Sequence, residues 1–209
     1  MWNWSENQIT LVLIRHGATK SNKEHRYLGR TEESLSKEGI CELLKFKQTN
    51  RYPEVVYLFS SPMKRCLETA QMLYPDCRLV VIPEWEEMDF GAFEGKNYIE
   101  LRDDERYQAW IDSNGMLPFP EGESREEFVL RCEKGLHRML ELLSQLSEKN
   151  ENGTTCTVGL VVHGGTIMSL LSRYSDGEYF DYQVPNGGGY ICTLKGNGLE
   201  PEIVNIEML

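Results

Sequence analysis

The sequence predicts an α/β protein with buried parallel strands that carry functional side chains at their ends. Short apolar runs alternate along the chain with segments of helical periodicity, which is typical of this fold class. Two of the runs are each followed by a histidine and then a glycine, in the segments Leu11–Gly17 and Val158–Gly165. Runs of this length rich in Val, Leu and Ile suit buried parallel strands. Because the carboxyl ends of such strands form the ligand crevice of an open sheet, we expect both histidines to face one site.

The elements follow in order from the same patterns. Strands are predicted at Ile9 to Ile14, Val55 to Phe59, Leu79 to Ile82, Thr157 to Val162 and Tyr190 to Leu194. Helices are predicted at Ser36 to Gln48, Met63 to Tyr74, Asn97 to Ser113 in two pieces, Ser124 to Lys149 and Thr166 to Tyr174. The helix from Ser124 is the clearest, because its apolar residues recur every three or four positions and Ser124 with Glu127 forms a capping box. Loops are predicted at 118–123 and 148–153.

Composition restricts the class of protein and its partners. The chain has 209 residues, 40% of them hydrophobic and 26% charged, which predicts one domain with a sizeable core. No run of about 18 apolar residues is present, and Met1 to Glu6 lacks the features of a signal peptide, so we expect a cytoplasmic protein. The net charge of −11 argues against nucleic acid or an anionic membrane as the main partner. The six cysteines form no C-x-x-C pair, and we interpret them as reduced packing residues.

The segment from Arg15 to Asn22 has the features of a phosphate site. It places a cation, a histidine and several hydrogen-bonding side chains within one strand-to-helix connection. An arginine fork matches phosphate oxygens, and backbone N–H groups at a helix start attract anions. A lone histidine at a strand end is usually a hydrogen-bonded core residue, but the pairing of His16 with His163 and the adjacent Arg15 favour function. A dinuclear metal site is the competing use of these histidines; no aspartate cluster accompanies them, and Arg15 would repel a metal cation.

Two further segments add a second cation and an acid. Arg65 lies in the first turn of the helix predicted after Ser61, where a surface arginine would be the ordinary interpretation. The segment Trp85 to Gly95 sets acids among aromatic residues and glycines, so that one buried carboxyl there is expected to have a raised pKa.

The whole pattern closely resembles the histidine phosphatase superfamily, also called the phosphoglycerate mutase-like family. The segments that carry the resemblance are Leu-Ile-Arg-His-Gly-x-Thr-x-x-Asn, Ser-Ser-Pro-x-x-Arg-x-x-x-Thr-Ala and Val-Val-His-Gly-Gly, in that order. The resemblance covers nearly the whole chain. It implies a three-layer α/β fold with a mainly parallel sheet, helices on both faces and a small helical lid at about 92–123 within a single domain, 1–209.

The same resemblance implies roles for individual residues. His16 would be the nucleophile and Glu87, which precedes Gly91 in the family's Glu-x-x-x-Gly pattern, the proton donor. Arg15, Arg65 and His163 would complete the phosphate pocket, with further contacts from Asn22 and Gly164. The implied site contains no metal and needs no cofactor, and Glu86 and Glu94 are expected to be solvated loop carboxylates.

The residues fit this chemistry. A neutral His16 would attack phosphorus. The positive charge of the arginines, and of a His163 that can be cationic, would attract the substrate dianion and disfavour protonation of His16. Protonated Glu87 would protonate the leaving alkoxide and then activate water to hydrolyse the phosphohistidine.

Three functions stay open at this point. A phosphomonoesterase acting on a small phosphorylated metabolite is favoured, because the segment Asn97 to Glu123 is shorter than the insertion of the mutases and its two arginines, Arg102 and Arg106, lie among acids. The sequence of this segment is similar to the α-ribazole phosphatase branch, although Glu121 stands where that branch commonly has glycine. α-Ribazole 5′-phosphate is therefore a candidate substrate. The alternatives are a phosphoglycerate mutase and a non-catalytic phosphate-binding module; we expect a monomer or a homodimer.

Aromatic residues of the predicted lid allow two interpretations. They can stack on a ring-bearing substrate, or they can form the small core beneath the lid, which is the commoner case. The residues concerned are Phe93, Tyr98, Tyr107, Trp110 and Phe119.

Overall fold

The computed structural model of the chain describes residues 8–147, 156–196 and 201–209. These residues form a six-stranded sheet in the order β3-β2-β4-β1-β5-β6. The strands are β1 Ile9–Arg15, β2 Tyr57–Ser60, β3 Leu79–Val81, β4 Cys156–Val162, β5 Gly189–Lys195 and β6 Glu202–Met208. The pairs within β3-β2-β4-β1 are parallel, whereas β5 is antiparallel to both of its neighbours. The prediction of a mainly parallel sheet is confirmed.

Seven α-helices and three 3₁₀ turns connect and cover the strands of this described part. The helices are α1 Lys20–Lys23, α2 Lys37–Gln48, α3 Lys64–Leu73, α4 Tyr98–Leu101, α5 Glu105–Asp112, α6 Arg125–Ser147 and α7 Gly164–Tyr174. The 3₁₀ turns are Pro83–Trp85, Gly91–Phe93 and Tyr179–Tyr182. The capping box of α6 is present, with the Glu127 N–H donating to Ser124 Oγ and the Ser124 N–H donating to the Glu127 carboxylate.

The central strand β1 shows why the helices lie on both faces of the sheet. Its side chains point alternately to opposite faces, and Leu11 and Leu13 pack in the cluster that contains the buried residues of α6 and α7. Val12 and Ile14 pack in a second cluster with buried residues of α2 and α3. Strands covered on both faces read as continuous apolar runs, which is the pattern of β1 and β4. The three-layer prediction is therefore confirmed.

Several element limits differ from the sequence expectations. The strand β6 and the short helix α1 were not predicted, and α7 begins at Gly164, two residues before the predicted start. The other predicted strands and helices are present with ends shifted by one or two residues. The predicted helix end at Lys149, the loop 148–153 and the segment Met1 to Glu6 lie outside the described residues. None of the described helices is both long and apolar enough to cross a membrane.

The predicted lid is built around an aromatic cluster. Phe93, Tyr107 and Phe119 are buried and continuous with the main core, as expected of residues that form a core beneath a lid. Tyr98 is 57% exposed. Trp110 is half-buried, and its ring centroid lies 4.8 Å from that of Phe119.

Candidate active site

His16 follows the end of β1 and is almost completely buried, with 3% of its surface exposed. Its Nδ1 lies 2.8 Å from the Gly17 carbonyl oxygen. Because a carbonyl can only accept a hydrogen bond, Nδ1 carries the proton and Nε2 keeps its lone pair. The turn itself is fixed by α3, since the Gly17 N–H donates to Thr69 Oγ1 over 3.0 Å and that hydroxyl donates to the Arg65 carbonyl over 2.7 Å.

His163 comes to the same place because β1 and β4 are parallel neighbours in register. Arg15 lies opposite Val162 in the ladder, so the residue after each strand is a histidine, and the two ring centroids are 5.2 Å apart. The His163 Nε2 lies 2.7 Å from Ser61 Oγ, which fixes the ring. His163 is also the N-cap residue of α7, so the positive end of that helix dipole begins at the site.

Both histidines are neutral in the free protein. Burial, followed by the positive charge of Arg65 and Arg15, lowers the pKa of His16 well below its ordinary value. Burial, Arg65 and His16 lower the pKa of His163 in the same way. In the free site, the lowered pKa of His163 disfavours a positive charge on this ring, which leaves its hydrogen bonds as its means of holding an anion.

The positive charge comes from two arginines. Arg65 is fully buried, and its Nη atoms donate to the carbonyl oxygens of Thr31 and Gly29 over 3.0 and 2.7 Å. Arg15 donates from Nη1 to the Val184 carbonyl over 2.7 Å. The Nε–H of each guanidinium is buried without a hydrogen-bond partner. Such unpaired buried donors cost free energy, and an anion between them would satisfy both.

Glu94 supports Arg65 from behind. Its Oε1 accepts hydrogen bonds from the N–H groups of Gly29 and Thr31, at 2.9 and 3.1 Å, and these two residues supply the carbonyls that hold Arg65. The expectation of a solvated Glu94 is therefore wrong, because this carboxylate fixes the loop beneath the guanidinium. Glu86 is 43% exposed in its side chain and, among the described residues, forms a long ion pair of 3.8 Å with Arg30.

Glu87 is buried beside the histidines. Its Oε2 lies 3.8 Å from His163 Nδ1, and its Oε1 accepts a hydrogen bond of 2.9 Å from the Met88 N–H. Burial raises the pKa of Glu87 above its ordinary value, although the Met88 N–H and the arginines act in the opposite direction. A Cβ at Gly165 would lie 2.8 Å from Glu87 Oε1, so glycine at this position leaves room for the carboxyl group.

Arg131 of α6 fixes the segment that carries Glu87. It donates to the carbonyls of Glu84, Glu86 and Glu87 at 2.8, 2.9 and 3.3 Å. It also forms a two-pronged pair of 2.8 and 2.9 Å with Glu123, whose Oε2 accepts from the Asp89 N–H. The position of Glu87 therefore depends on a residue 44 positions further along the chain.

Asn22 lies on the other side of His16. Its Oδ1 accepts from the Thr19 N–H and hydroxyl, at 3.1 and 3.2 Å, in the cap of α1. The Asn186 Nδ2 donates to Asn22 Oδ1 over 3.2 Å and to the His16 carbonyl over 3.0 Å. Asn186 thus joins Asn22 to the backbone of His16.

A cavity of about 310 Å³ opens next to these groups. Arg15, Glu87 and Gly164 line it, whereas His16, His163 and Arg65 are not among its described lining residues. The His163 ring lies next to this lining, since its Nδ1 is 3.8 Å from Glu87 Oε2. Within residues 8–147, 156–196 and 201–209, no three His, Cys, Asp or Glu side chains are grouped so as to hold a metal ion.

The family assignment follows from comparison with known proteins. The sequence profile of the histidine phosphatase superfamily, branch 1, matches residues 11–207. The chain belongs to this superfamily.

Similar members of the histidine phosphatase superfamily include phosphatases and mutases. The metal-independent phosphoserine phosphatase of Arabidopsis thaliana is 26% identical over 185 residues, which are 82% of this chain and 74% of that protein. A 2,3-bisphosphoglycerate-dependent phosphoglycerate mutase of Bifidobacterium longum is 30% identical over 223 residues, covering 90% of this chain and 87% of that protein. The crystal structure of the α-ribazole phosphatase of Shigella flexneri has the same fold, with a TM-score of 0.70 over 95% of this chain and 96% of that one at 23% identity.

The seven site residues inferred for this histidine phosphatase superfamily member all lie around one end of the sheet. Neither Gly17 nor Gly164 has a positive φ, so neither turn needs a glycine for its backbone conformation. A Cβ at Gly17 would lie 2.5 Å from Leu43 Cδ1, so close packing requires glycine there. The sequence motifs do not identify Arg131 or Asn186 as residues of the site. Asn186 lies in the run Pro-Asn-Gly-Gly-Gly, which is typical of an ordinary turn.

Proposed function

We propose that the protein is a phosphomonoester hydrolase that acts through a phosphohistidine on a small phosphorylated metabolite. The observation that supports this most directly is the pair of unpartnered, buried Nε–H groups of Arg15 and Arg65 beside a neutral His16. Together they offer a site for the phosphoryl oxygens next to a nitrogen lone pair.

In the first step, His16 Nε2 attacks phosphorus, the phosphorus–nitrogen bond forms, and the phosphorus–oxygen bond to the leaving alkoxide breaks. Arg15, Arg65, the His163 ring, the Asn22 side chain and the start of α7 at Gly164 stabilise the charge on the phosphoryl oxygens. Glu87, whose raised pKa favours its protonated form, gives a proton to the leaving oxygen.

In the second step, the Glu87 carboxylate takes a proton from water, whose oxygen attacks phosphorus. The phosphorus–nitrogen bond breaks, and its electron pair returns to Nε2. The products are inorganic phosphate, neutral His16 and protonated Glu87. We propose that no metal takes part, since the arginines supply the charge stabilisation; a relative named for its metal independence supports this.

Hydrolysis is favoured over mutase activity by the charges of the lid. A mutase must retain a bisphosphate and therefore needs cations for a second phosphate group. Arg102 and Arg106 are exposed and paired with Asp103 and Asp104 at 3.2 and 2.9 Å. α-Ribazole 5′-phosphate is a candidate substrate, on the resemblance to that branch. A cytoplasmic location and a monomer or homodimer without nucleic-acid or membrane partners belong to the same proposal.

The test is phosphate release from a panel of esters that includes α-ribazole 5′-phosphate, O-phosphoserine and 3-phosphoglycerate. We expect turnover that persists in a chelator, is abolished in His16→Ala, and leaves labelled phosphate on His16 in quenched reactions. Isomerisation of 3-phosphoglycerate faster than its hydrolysis, with 2,3-bisphosphoglycerate present, would favour the mutase. Phosphate binding without any release would favour the non-catalytic module.

A further inference from the structure

The cavity beyond the phosphoryl end is aromatic. Within the part of the chain that the structure describes, its lining contains a single carboxylate, Glu87, and the rings of six aromatic residues from four segments. These are Tyr27, Phe90, Trp110, Phe119, Tyr179 and Phe180. A pocket of this composition binds through ring contacts and apolar surface, while a few polar groups fix the orientation of the ligand.

Among the described lining residues, Arg125 is the one cation besides Arg15. Its guanidinium carbon lies 5.0 and 4.8 Å from the ring centroids of Tyr179 and Phe180. Its Nη2 donates to the carbonyls of Asn114 and Gly115 at 2.8 and 3.1 Å. The planes of the two rings are nearly perpendicular, at 88° to each other, and the guanidinium lies within cation–π distance of both.

An exposed ring and an unpaired buried donor lie at this end of the cavity. Phe180 lines the cavity and is 50% exposed. Trp110 has a buried Nε1–H without a partner. A Cβ at Gly115 would lie 3.0 Å from both Arg125 Nη2 and Trp110 Cζ2, so these two side chains meet at the same glycine.

We propose that Trp110, Arg125 and Phe180 form a subsite for a flat ring, and that the preferred substrates are phosphate monoesters of ring-bearing alcohols. This rests on the proposed function, because it takes the Arg15 end of the same cavity as the reacting end. The competing occupant is a second anion held by Arg125. The ring is favoured because two of the Arg125 hydrogen bonds already go to carbonyl oxygens and because aromatic side chains dominate the lining of the cavity.

The experiment compares three primary alkyl phosphates that share the two carbon atoms next to the ester oxygen and differ beyond them: 2-phenylethyl, 2-cyclohexylethyl and ethyl phosphate. 3-Phosphoglycerate is the anionic case. We expect the highest kcat/KM for the phenyl compound. Phe180→Ala should lower the phenyl-to-ethyl ratio of kcat/KM by roughly threefold to tenfold, mainly through KM, and Phe180→Leu should lower it as well. Tyr98→Ala is the matched control, since Tyr98 is an aromatic lid residue of similar exposure, 57% against 50% for Phe180, and does not line this cavity.

Three outcomes overturn the proposal: equal rates for the phenyl and cyclohexyl compounds, an equal effect of Tyr98→Ala, or a preference for 3-phosphoglycerate that Arg125→Met removes. If no ester releases phosphate, the proposed function fails, and the subsite is then tested by calorimetry alone. 2-Phenylethylphosphonate should bind more tightly than ethylphosphonate to the wild type but not to Phe180→Ala. Equal affinities in the wild type would overturn the subsite.

Discussion

Glu121 adopts a backbone conformation that suits glycine. Its φ is 61°, in the left-handed region, and the branch that the sequence resembles commonly has glycine there. The side chain offers little in return, since its nearest ion-pair partner is Arg106 at 4.0 Å. The left-handed conformation strains every residue that carries a Cβ.

We expect Glu121→Gly to stabilise the protein by about 1 kcal/mol, because removal of Cβ relieves this strain by more than the added freedom of the unfolded chain costs. In thermal denaturation this is a rise in Tm of about 2–4 °C for a chain of this size. Glu121→Ala keeps Cβ and is the control, so an equal rise in Glu121→Ala would contradict the explanation.

The protonation of Glu87 and His16 predicts both substrate and pH dependence. Glu87→Gln should slow the phosphorylation of His16 strongly for alkyl phosphates and much less for p-nitrophenyl phosphate, whose phenolate leaves without a proton. The raised pKa of Glu87 keeps this carboxyl protonated to a higher pH than a free carboxyl. The lowered pKa of His16 keeps this ring neutral to a lower pH than a free imidazole. The wild-type kcat/KM should therefore fall on the acid side as His16 gains a proton and on the alkaline side as Glu87 loses one.

The alkaline fall should be absent in Glu87→Gln. Glu86→Gln is the matched control, because its exposed side chain adjoins Glu87 in sequence, and we expect wild-type behaviour from it. Equal slowing of both kinds of substrate in single-turnover phosphorylation would remove Glu87 as the acid. Glu94 is unsuitable as a control because it holds the loop that binds Arg65.

At the scale of elements, α6 positions the acid through Arg131. Arg131→Lys keeps the charge but cannot reach three carbonyls and a carboxylate at once. We expect it to reduce kcat for alkyl phosphates by up to roughly a hundredfold and to move the alkaline fall of the pH profile, with little change in KM. Stopped assays over a pH series, with Tm measured for each variant, check this.

Arg138→Met is the control for this prediction. Arg138 lies on the same helix and also contacts the Glu84–Glu87 segment, but through the Glu84 carboxylate, 3.0 Å away at the surface. A loss of activity as large as that of Arg131→Lys would show that general loosening of α6, rather than the clamp on Glu87, is responsible.

Elements with a strong local pattern were predictable, and those that depend on distant contacts were not. β1 and β4 are buried on both faces, which makes them continuous apolar runs. β6 is an edge strand in which only Ile203 is buried, so its sequence carries almost no strand signal. In the site, His16 and His163 lie in short motifs at strand ends, whereas Arg131, Glu94 and Phe180 act across contacts that no sequence spacing reveals.

For the whole molecule, we propose that residues 1–209 form one domain with the lid at about 92–123. The lid rings of Phe93, Tyr107 and Phe119 belong to the same buried cluster as Leu11 and Leu13 of β1. We therefore expect one cooperative unfolding transition. The tryptophan fluorescence of a variant with Trp2→Phe and Trp4→Phe, which reports on Trp85 and the lid residue Trp110, should coincide with far-ultraviolet circular dichroism. A separate, earlier fluorescence transition would show that the lid unfolds independently.

The unpaired Nε–H groups of Arg15 and Arg65 also link stability to the product of the reaction. An anion that satisfies them binds only the folded chain, so inorganic phosphate should raise Tm, by an amount equivalent to about 2.7 kcal/mol at a hundredfold excess over its Kd. Chloride at the same ionic strength is the control, and an equal rise with chloride would contradict this linkage. The protein would then be most resistant to unfolding while it holds phosphate. The same two arginines that favour phosphoryl transfer would also slow product release, and phosphate would be a competitive inhibitor.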